Sequence, residues 1–253
     1  MKKRIISIIA LLTMTTAVMA QRQETFKVKN VSFSMVKVEG GKFTMGYTSD
    51  QSKENSYIKS HQENVATFFI GQTEVTQELW EAVMGYNPSV FKGSNLPVEN
   101  VSWKECQEFI KKLNKLTGKK FRLPSHAEWE YAARGGKQDK PSQFAGSNNI
   151  EDVGWYAQNS GNSRLSDNWR REELRNNGCK THKVASKMPN ELGLYDMSGN
   201  VAEYCQDKYD GNNRVTKGGS FNHVKDQCTV CEIGCLPPND KWENIGLRLA
   251  LSE

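Results

Sequence analysis

Residues 122–136 read RLPSHAEWEYAARGG and form the most diagnostic segment of the chain. A second stretch, at 193–204, reads GLYDMSGNVAEY, and a third, at 217–221, reads KGGSF. After a cluster of cysteines the sequence closes with NIGLRLA at 244–250. Motifs of this length in a fixed order are far more specific than a single short signature, so together they indicate one particular fold.

In this order the motifs resemble the sulfatase-modifying-factor family, whose founding activity is that of the formylglycine-generating enzyme. The resemblance covers residues 35–250. It implies an α+β, C-type-lectin-like fold of the formylglycine-generating-enzyme type, built as a single domain with much irregular structure. We place this domain at residues 33–253, after an N-terminal lead-in at 21–32.

Residues 1–20 have the layout of a secretory signal peptide. Residues 2–4 form a basic head, residues 5–14 are mostly apolar, and a run of small residues ends at Ala20. The apolar run is too short, and wrongly flanked, for a membrane span. We therefore expect cleavage after Ala20, a mature chain without a transmembrane segment, and a periplasmic or secreted location.

The apparent basicity of the chain belongs largely to this signal. The full sequence has 34 Lys and Arg against 29 Asp and Glu, a net charge of +5. Removing residues 1–20 takes away three of the 34 and leaves 31 against 29, a net charge of +2. A balance this small gives no electrostatic reason to expect a nucleic-acid partner.

The first part of the mature chain shows β-strand patterns. Residues 31–38 and 42–46 predict a β-hairpin with its turn at Gly40-Gly41. Residues 48–64 are polar and predict an exposed loop, and residues 65–70 predict a short apolar strand.

Three helices have clear start and stop signals, because each begins at a capping side chain and ends at a glycine. The caps are Thr76, Ser102 and Ser125, and the glycines are Gly85, Gly118 and Gly135. The two serines each open a capping box, with a glutamate three residues later. After residue 136 the periodicity fades, and such a stretch usually depends on cations or disulfides for its stability.

The resemblance implies a calcium site within the second motif. Carried over by position, the ligands are the side chains of Asp196 and Glu203 and the main-chain carbonyls of Gly199 and Val201. Calcium takes about six to eight oxygen ligands, which a tight turn is able to supply. The alternative is an ordinary turn with two solvated carboxylates. One departure from the family is Ala202, where a tryptophan is common, and this change opens space without touching the ligands.

The third motif corresponds to the reactive centre of the oxidase, where a serine precedes two cysteines that hold one copper ion. Alignment on residues 218–221 retains the serine as Ser220 and the second copper cysteine as Cys228. The first copper cysteine falls on His223. Ser220 and Cys228 are therefore the catalytic candidates if the chain is an oxidase, but one of the two soft thiolates that suit Cu(I) is missing.

Three interpretations of Cys228 compete. In family members without oxidase activity the cysteines at the positions of Cys205 and Cys228 plausibly pair, and we expect this disulfide in an exported chain. A mixed site of His223 and Cys228 could bind copper or zinc, since imidazole is an acceptable ligand. The spacing Cys228, Cys231, Cys235 resembles a zinc site but lacks a fourth ligand. The six cysteines of the chain leave the connectivity open.

The sequence after Cys228 also departs from the family, which usually has an Arg- and aromatic-rich stretch there. We therefore expect a rebuilt wall of the substrate groove. Trp155, Trp169 and Trp242 are candidates to line it, although large aromatics more often pack in the core.

Our leading hypothesis is an exported, non-oxidase member of the family that uses the groove to bind a peptide or glycan at the cell envelope. The substitution at His223 and the changed loop are the reasons. The alternative is a copper-dependent formylglycine-generating oxidase acting on a cysteine of a client sulfatase.

Overall fold

The computed structural model describes residues 23–47 and 58–253. The predicted signal peptide lies outside these residues, and so does part of the loop predicted at 48–64. No helix in the described ranges is both long enough and apolar enough to cross a membrane.

The chain folds as a mixed α+β domain with long irregular segments, as the resemblance implied. The strands are β1 (Gln23–Val28), β2 (Val31–Val38), β3 (Gly41–Met45), β4 (His61–Val65), β5 (Phe68–Gly71), β6 (Phe121–Arg122), β7 (Ala202–Lys208), β8 (Arg214–Lys217), β9 (Gly234–Leu236), β10 (Ile245–Gly246) and β11 (Ala250–Ser252). The helices are α1 (Gln77–Met84), α2 (Trp103–Thr117), α3 (His126–Ala133), α4 (Ile150–Val153) and α5 (Arg171–Asn176).

The strands form two sheets and a ribbon. The larger sheet has the antiparallel order β1-β2-β5-β11-β6, so the last strand of the chain lies inside it. The second sheet has the order β10-β7-β8-β9, with β10 parallel to β7 and the other pairs antiparallel. Strands β3 and β4 form a separate ribbon, and α3 packs against both this ribbon and the second sheet.

The hairpin predicted between residues 31–38 and 42–46 is wrong. Strand β2 pairs with β1 on one edge and with β5 on the other, so it has no edge left for β3. Strand β3 pairs instead with β4, of which residues 61–64 lie within the predicted loop. The predicted strand at 65–70 is divided, since β4 ends at Val65 and β5 begins at Phe68 in a different sheet.

The three predicted helices are confirmed together with their caps. The Oγ1 of Thr76 accepts a hydrogen bond from the Leu79 N–H, and both serine capping boxes are formed in full. Gly85, Gly118 and Gly135 all have left-handed φ angles, which a residue with a Cβ rarely adopts.

The core has two main clusters. One packs the apolar face of α2 (Cys106, Phe109, Ile110 and Leu113) against α1 and the larger sheet. The other surrounds Trp129 of α3 and includes Cys205 and Val215 of the second sheet. The two clusters hold the turn before β7 and the loop after β8 in fixed positions, and the candidate site lies there.

Candidate functional site

A groove with a cavity of about 490 Å³ lies on the second sheet, where the loop after β8 passes its strands. Its lining includes Trp169, Leu174, Asn222, His223, Leu236, Trp242 and Asn244. Trp242 is 54% exposed, so the groove offers a large aromatic surface to solvent. Arg171 and Glu243 are the charged residues in the lining, and their charges balance.

The floor of the groove is a neutral hydrogen-bond network centred on Ser220. The Ser220 hydroxyl donates to Asn222 Oδ1 at 2.8 Å and lies 3.1 Å from His223 Nδ1. The Asn244 amide donates to Ser220 Oγ at 3.2 Å and to Asn222 Oδ1 at 2.8 Å. Burial lowers the pKa of His223, so its imidazole is neutral at physiological pH. This network fixes the positions of the Asn222, His223 and Asn244 side chains in the groove.

Cys228 lies behind this floor and is fully buried. Its thiol contacts main-chain carbonyls, with Sγ 3.7 Å from Val224 O and 3.9 Å from Ser220 O. A Cβ at Gly219 would lie 2.6 Å from that sulfur, so only glycine fits there. Burial raises the pKa of the Cys228 thiol to about 12, which keeps it protonated.

These residues do not fit the copper site of the oxidase. That chemistry needs two thiolates. The chain offers instead the protonated thiol of Cys228 and the imidazole of His223, which is hydrogen-bonded to the Ser220 hydroxyl. Across residues 23–47 and 58–253, no three His, Cys, Asp or Glu side chains are grouped so as to hold a metal ion.

The predicted Cys205–Cys228 disulfide is not formed, since both residues are free thiols. Cys205 packs in the cluster around Trp129, whereas Cys228 packs with Phe144 and Tyr156 in a different cluster. The other four cysteines are also free. Cys231 is buried beside Thr229, and half-buried Cys235 lies on β9 in the wall of the groove.

Glu203 of the predicted calcium set is buried in an ion pair. Both of its oxygens accept from the guanidinium of Arg248, at 2.7 to 3.0 Å. The indole N–H of Trp129 also donates to Oε2 at 2.6 Å. Arg248 lies within the closing motif at 244–250, and the motif alone did not indicate this role. An arginine between two leucines, in the segment that joins β10 to β11, was the available signal, because a buried charge needs a partner.

Asp196, the other predicted carboxylate, is 2% exposed and has a left-handed φ of 57°. Its Oδ2 accepts from the Ala185 N–H at 2.7 Å, whereas its Oδ1 is buried without a hydrogen-bond partner among the described residues. Burial raises the pKa of Asp196 to about 6.

Glu74 is a further buried carboxylate beside these residues that the sequence did not single out. Its oxygens accept from the Asn200 amide at 2.9 Å and from the Val201 N–H at 3.1 Å. Burial, and then repulsion by Asp196, hold the pKa of Glu74 well above its usual range. Gly199, meanwhile, donates its N–H to Gly218 O at 2.7 Å, so the second motif is tied directly to the third.

The structure brings two of the three candidate tryptophans to the groove. Trp169 and Trp242 line it, while Trp155 lies elsewhere and stacks on His182 with ring centroids 3.7 Å apart. The ammonium of Lys187 lies 4.2 Å from the Trp155 ring, so this cluster is a packed structural unit.

Comparisons with known proteins agree with this architecture. The family description "Sulfatase-modifying factor enzyme 1-like domain" matches residues 20–253. The chain is 33% identical to the chaperone protein LppX of Paenibacillus barcinonensis, over 88% of this chain and 91% of that protein. It is 28% identical to the formylglycine-generating enzyme of Thermomonospora curvata, over 68% of this chain and 60% of that enzyme.

Among solved structures, Treponema denticola variable protein 1 superposes with a TM-score of 0.79 at 30% identity, over 91% of this chain and 99% of that one. PvdO from Pseudomonas aeruginosa superposes with a TM-score of 0.71 at 22% identity, over 91% of this chain and 98% of that one, and this likeness concerns the fold alone.

Proposed function

The chain belongs to the sulfatase-modifying factor family, and we propose that it is a non-oxidase member that binds a peptide or glycan partner at the cell envelope. The binding surface is the groove floored by Asn222, His223 and Asn244 and flanked by Trp169 and Trp242. Its place at the envelope rests on the predicted signal peptide at residues 1–20.

The observation that carries the proposal is the state of Cys228. This thiol is fully buried and protonated, and the position of its copper-binding partner is taken by His223. The oxidase chemistry needs accessible thiolates that bind Cu(I), so this chain lacks the reactive centre while keeping the groove in front of it.

The names of similar proteins support a binding role in general, without indicating the ligand. A relative that matches nearly end to end carries the name chaperone protein, which describes a protein that interacts with other proteins. The matched formylglycine-generating enzymes are longer: the chain spans 48% of the mouse enzyme and 60% of the Thermomonospora curvata enzyme.

A turnover assay separates the two functions. The mature protein is loaded with Cu(I) and incubated in air with a sulfatase-derived cysteine peptide, and the peptide is analysed by mass spectrometry. We expect no conversion of cysteine to formylglycine, and the same copper uptake by the wild type and by Cys228→Ser. Formylglycine formation that Cys228→Ser abolishes would establish the oxidase and contradict the proposal.

A binding screen tests the positive half of the proposal. Immobilised mature protein is probed with a panel of unfolded peptides and a panel of oligosaccharides. A ligand of the groove should lose at least about tenfold in affinity with Trp242→Ala, because an exposed aromatic anchor supplies much of the binding energy. Leu116→Ala is the matched control, since Leu116 is 55% exposed on α2 and is not part of the groove lining. Ligands that Trp242→Ala does not affect would place binding outside the groove.

A further inference from the structure

The turn from Asp196 to Glu203 is the segment that the family resemblance assigned to calcium, and the buried side chains around it disagree with that assignment. Glu203 is fully buried on β7, and its two oxygens receive the N–H donors of Arg248 and Trp129. We infer that an Arg248–Glu203 ion pair, and not a calcium ion, holds this turn in the chain.

Arg248 is a buried cation that links several segments around the turn. It is fully buried between Gly246 of β10 and Ala250 of β11, and its guanidinium reaches three other segments. Its Nη1 donates to Gly71 O at the end of β5 at 2.9 Å, and its Nη2 donates to Tyr195 O, directly before the turn, at 2.8 Å. With the bonds to Glu203, one positive group joins the two sheets to the turn.

A calcium ion would have to compete with this arrangement for the same oxygens. Calcium binds carboxylate oxygens at about 2.3–2.6 Å, which would bring it close to the guanidinium that now bonds both oxygens of Glu203. If Glu203 turned towards calcium instead, the hydrogen-bond acceptors left to the buried Arg248 would be the neutral carbonyls of Gly71 and Tyr195. An unpaired buried charge is strongly unfavourable, so the ion pair excludes the metal.

The other carboxylates near the turn do not replace Glu203 as ligands. Both oxygens of Glu74 already accept hydrogen bonds, from Asn200 and Val201, and one oxygen of Asp196 accepts from Ala185. Asp196 Oδ1 is therefore the one carboxylate oxygen of these three residues for which the described part of the chain provides no donor. Together with the predicted main-chain carbonyls of Gly199 and Val201, this oxygen gives three protein ligands, which falls short of the six to eight, roughly, that calcium takes.

Trp129 explains why the arrangement is rigid. Its indole is fully buried in α3 and donates to Glu203, while the ammonium of Lys217 lies 5.6 Å from its ring centroid. The glutamate is thus held from two sides, by Arg248 and by an indole that packing prevents from moving.

The inference is tested by thermal unfolding of the purified mature protein in metal-free buffer, with EDTA or with 1 mM CaCl₂, roughly a saturating level for such sites. We expect melting temperatures that agree within about 1 °C, since a ligand raises the melting temperature only if it binds the folded state. Calorimetric titration with CaCl₂ should show no saturable heat. A rise of several degrees with calcium in the wild type would overturn the inference.

Two variants separate the ion pair from the metal. Glu203→Gln should melt well below the wild type, and by the same amount with EDTA and with calcium, because it leaves Arg248 without its counter-ion. Asp196→Asn, which removes the other carboxylate of the predicted calcium set, should melt at or above the wild-type temperature. If Glu203→Gln fails to fold, the wild-type and Asp196→Asn measurements still decide between the ion pair and calcium.

Discussion

Among single residues, several ionisable side chains are buried at positions that no sequence pattern indicates, and their burial affects the stability of the protein. Glu99 is an example, since it is fully buried in the loop between α1 and α2. Its Oε1 accepts from the Phe91 N–H at 2.9 Å, and its Oε2 is buried without a partner among the described residues. Phe91 in turn packs edge-on against Phe221, next to the floor of the groove.

Glu99 should make the stability of the protein depend on pH. Burial raises the pKa of Glu99 in the folded protein to about 7, from 4.5. The folded state therefore holds this proton more tightly than the unfolded state, and stability is lost as pH rises from about 4.5 to about 7. Urea unfolding at pH 5 and pH 8 should show that Glu99→Gln removes this loss, which amounts to roughly 3 kcal/mol. The control is Glu108→Gln, on the exposed side of α2, and an equal pH dependence in the wild type and Glu99→Gln would contradict the assignment.

Among the secondary-structure elements, short-range sequence signals predicted the three capped helices correctly, but they did not predict which strands pair. A helix closes its hydrogen bonds within a few residues, so Ser102 and Glu105 specify the start of α2 without help from the rest of the chain. A strand, in contrast, forms its hydrogen bonds with another segment, which is often distant in the sequence. Gly40-Gly41 suggested a hairpin turn, but β5 occupies the edge of β2 that this hairpin would need.

The capping box of α2 gives a prediction at this scale. Ser102→Ala removes the acceptor for the Glu105 N–H and the side-chain bond to Glu105 Oε2, at 3.2 and 2.9 Å. We expect the free energy of unfolding to fall by about 1 kcal/mol, as for other N-cap serines. Lys104→Ala, at an exposed position in the same first turn, should change it by less than about 0.5 kcal/mol. Equal effects of the two variants in urea denaturation would show that the cap contributes nothing.

At the scale of the whole molecule, buried ion pairs connect elements that lie far apart in sequence. Glu130 of α3 accepts from Arg134 at 2.9 Å on one oxygen and from Lys217 of β8 at 3.2 Å on the other. Glu130 is thus one anion shared by two buried cations, and it joins the first and third sequence motifs. Arg134 also donates to Gly46 O, which ties the end of β3 to the same group.

Because two buried cations share Glu130, we predict that substitutions of these residues destabilise the protein to different degrees. Glu130→Gln leaves two buried cations without a counter-ion and should lower the free energy of unfolding by roughly 3–5 kcal/mol. Lys217→Met should cost less, because Glu130 keeps Arg134. Lys208→Met, at an exposed position of β7, is the control and should stay within about 0.5 kcal/mol of the wild type. Urea denaturation that ranked Lys217→Met as the more damaging variant would contradict the shared-anion arrangement.

The family, the α+β fold and the three capped helices were predictable from the amino-acid sequence, because long ordered motifs and local capping signals can be read along the chain. The sequence also placed Ser220 and His223 together, and the structure joins them at 3.1 Å. The contacts of the remaining charged residues and cysteines, in contrast, depend on how the chain packs in three dimensions. Partners such as Glu203 and Arg248, or Glu130 and Lys217, are distant in sequence and meet only when the sheets and α3 pack. Burial then sets their charge states and bonds, and it also separates Cys205 from Cys228 into different clusters. Neither burial nor long-range pairing has a local sequence signature. A charged residue within an apolar stretch can therefore be recognised from the sequence, but the residue that pairs with it cannot.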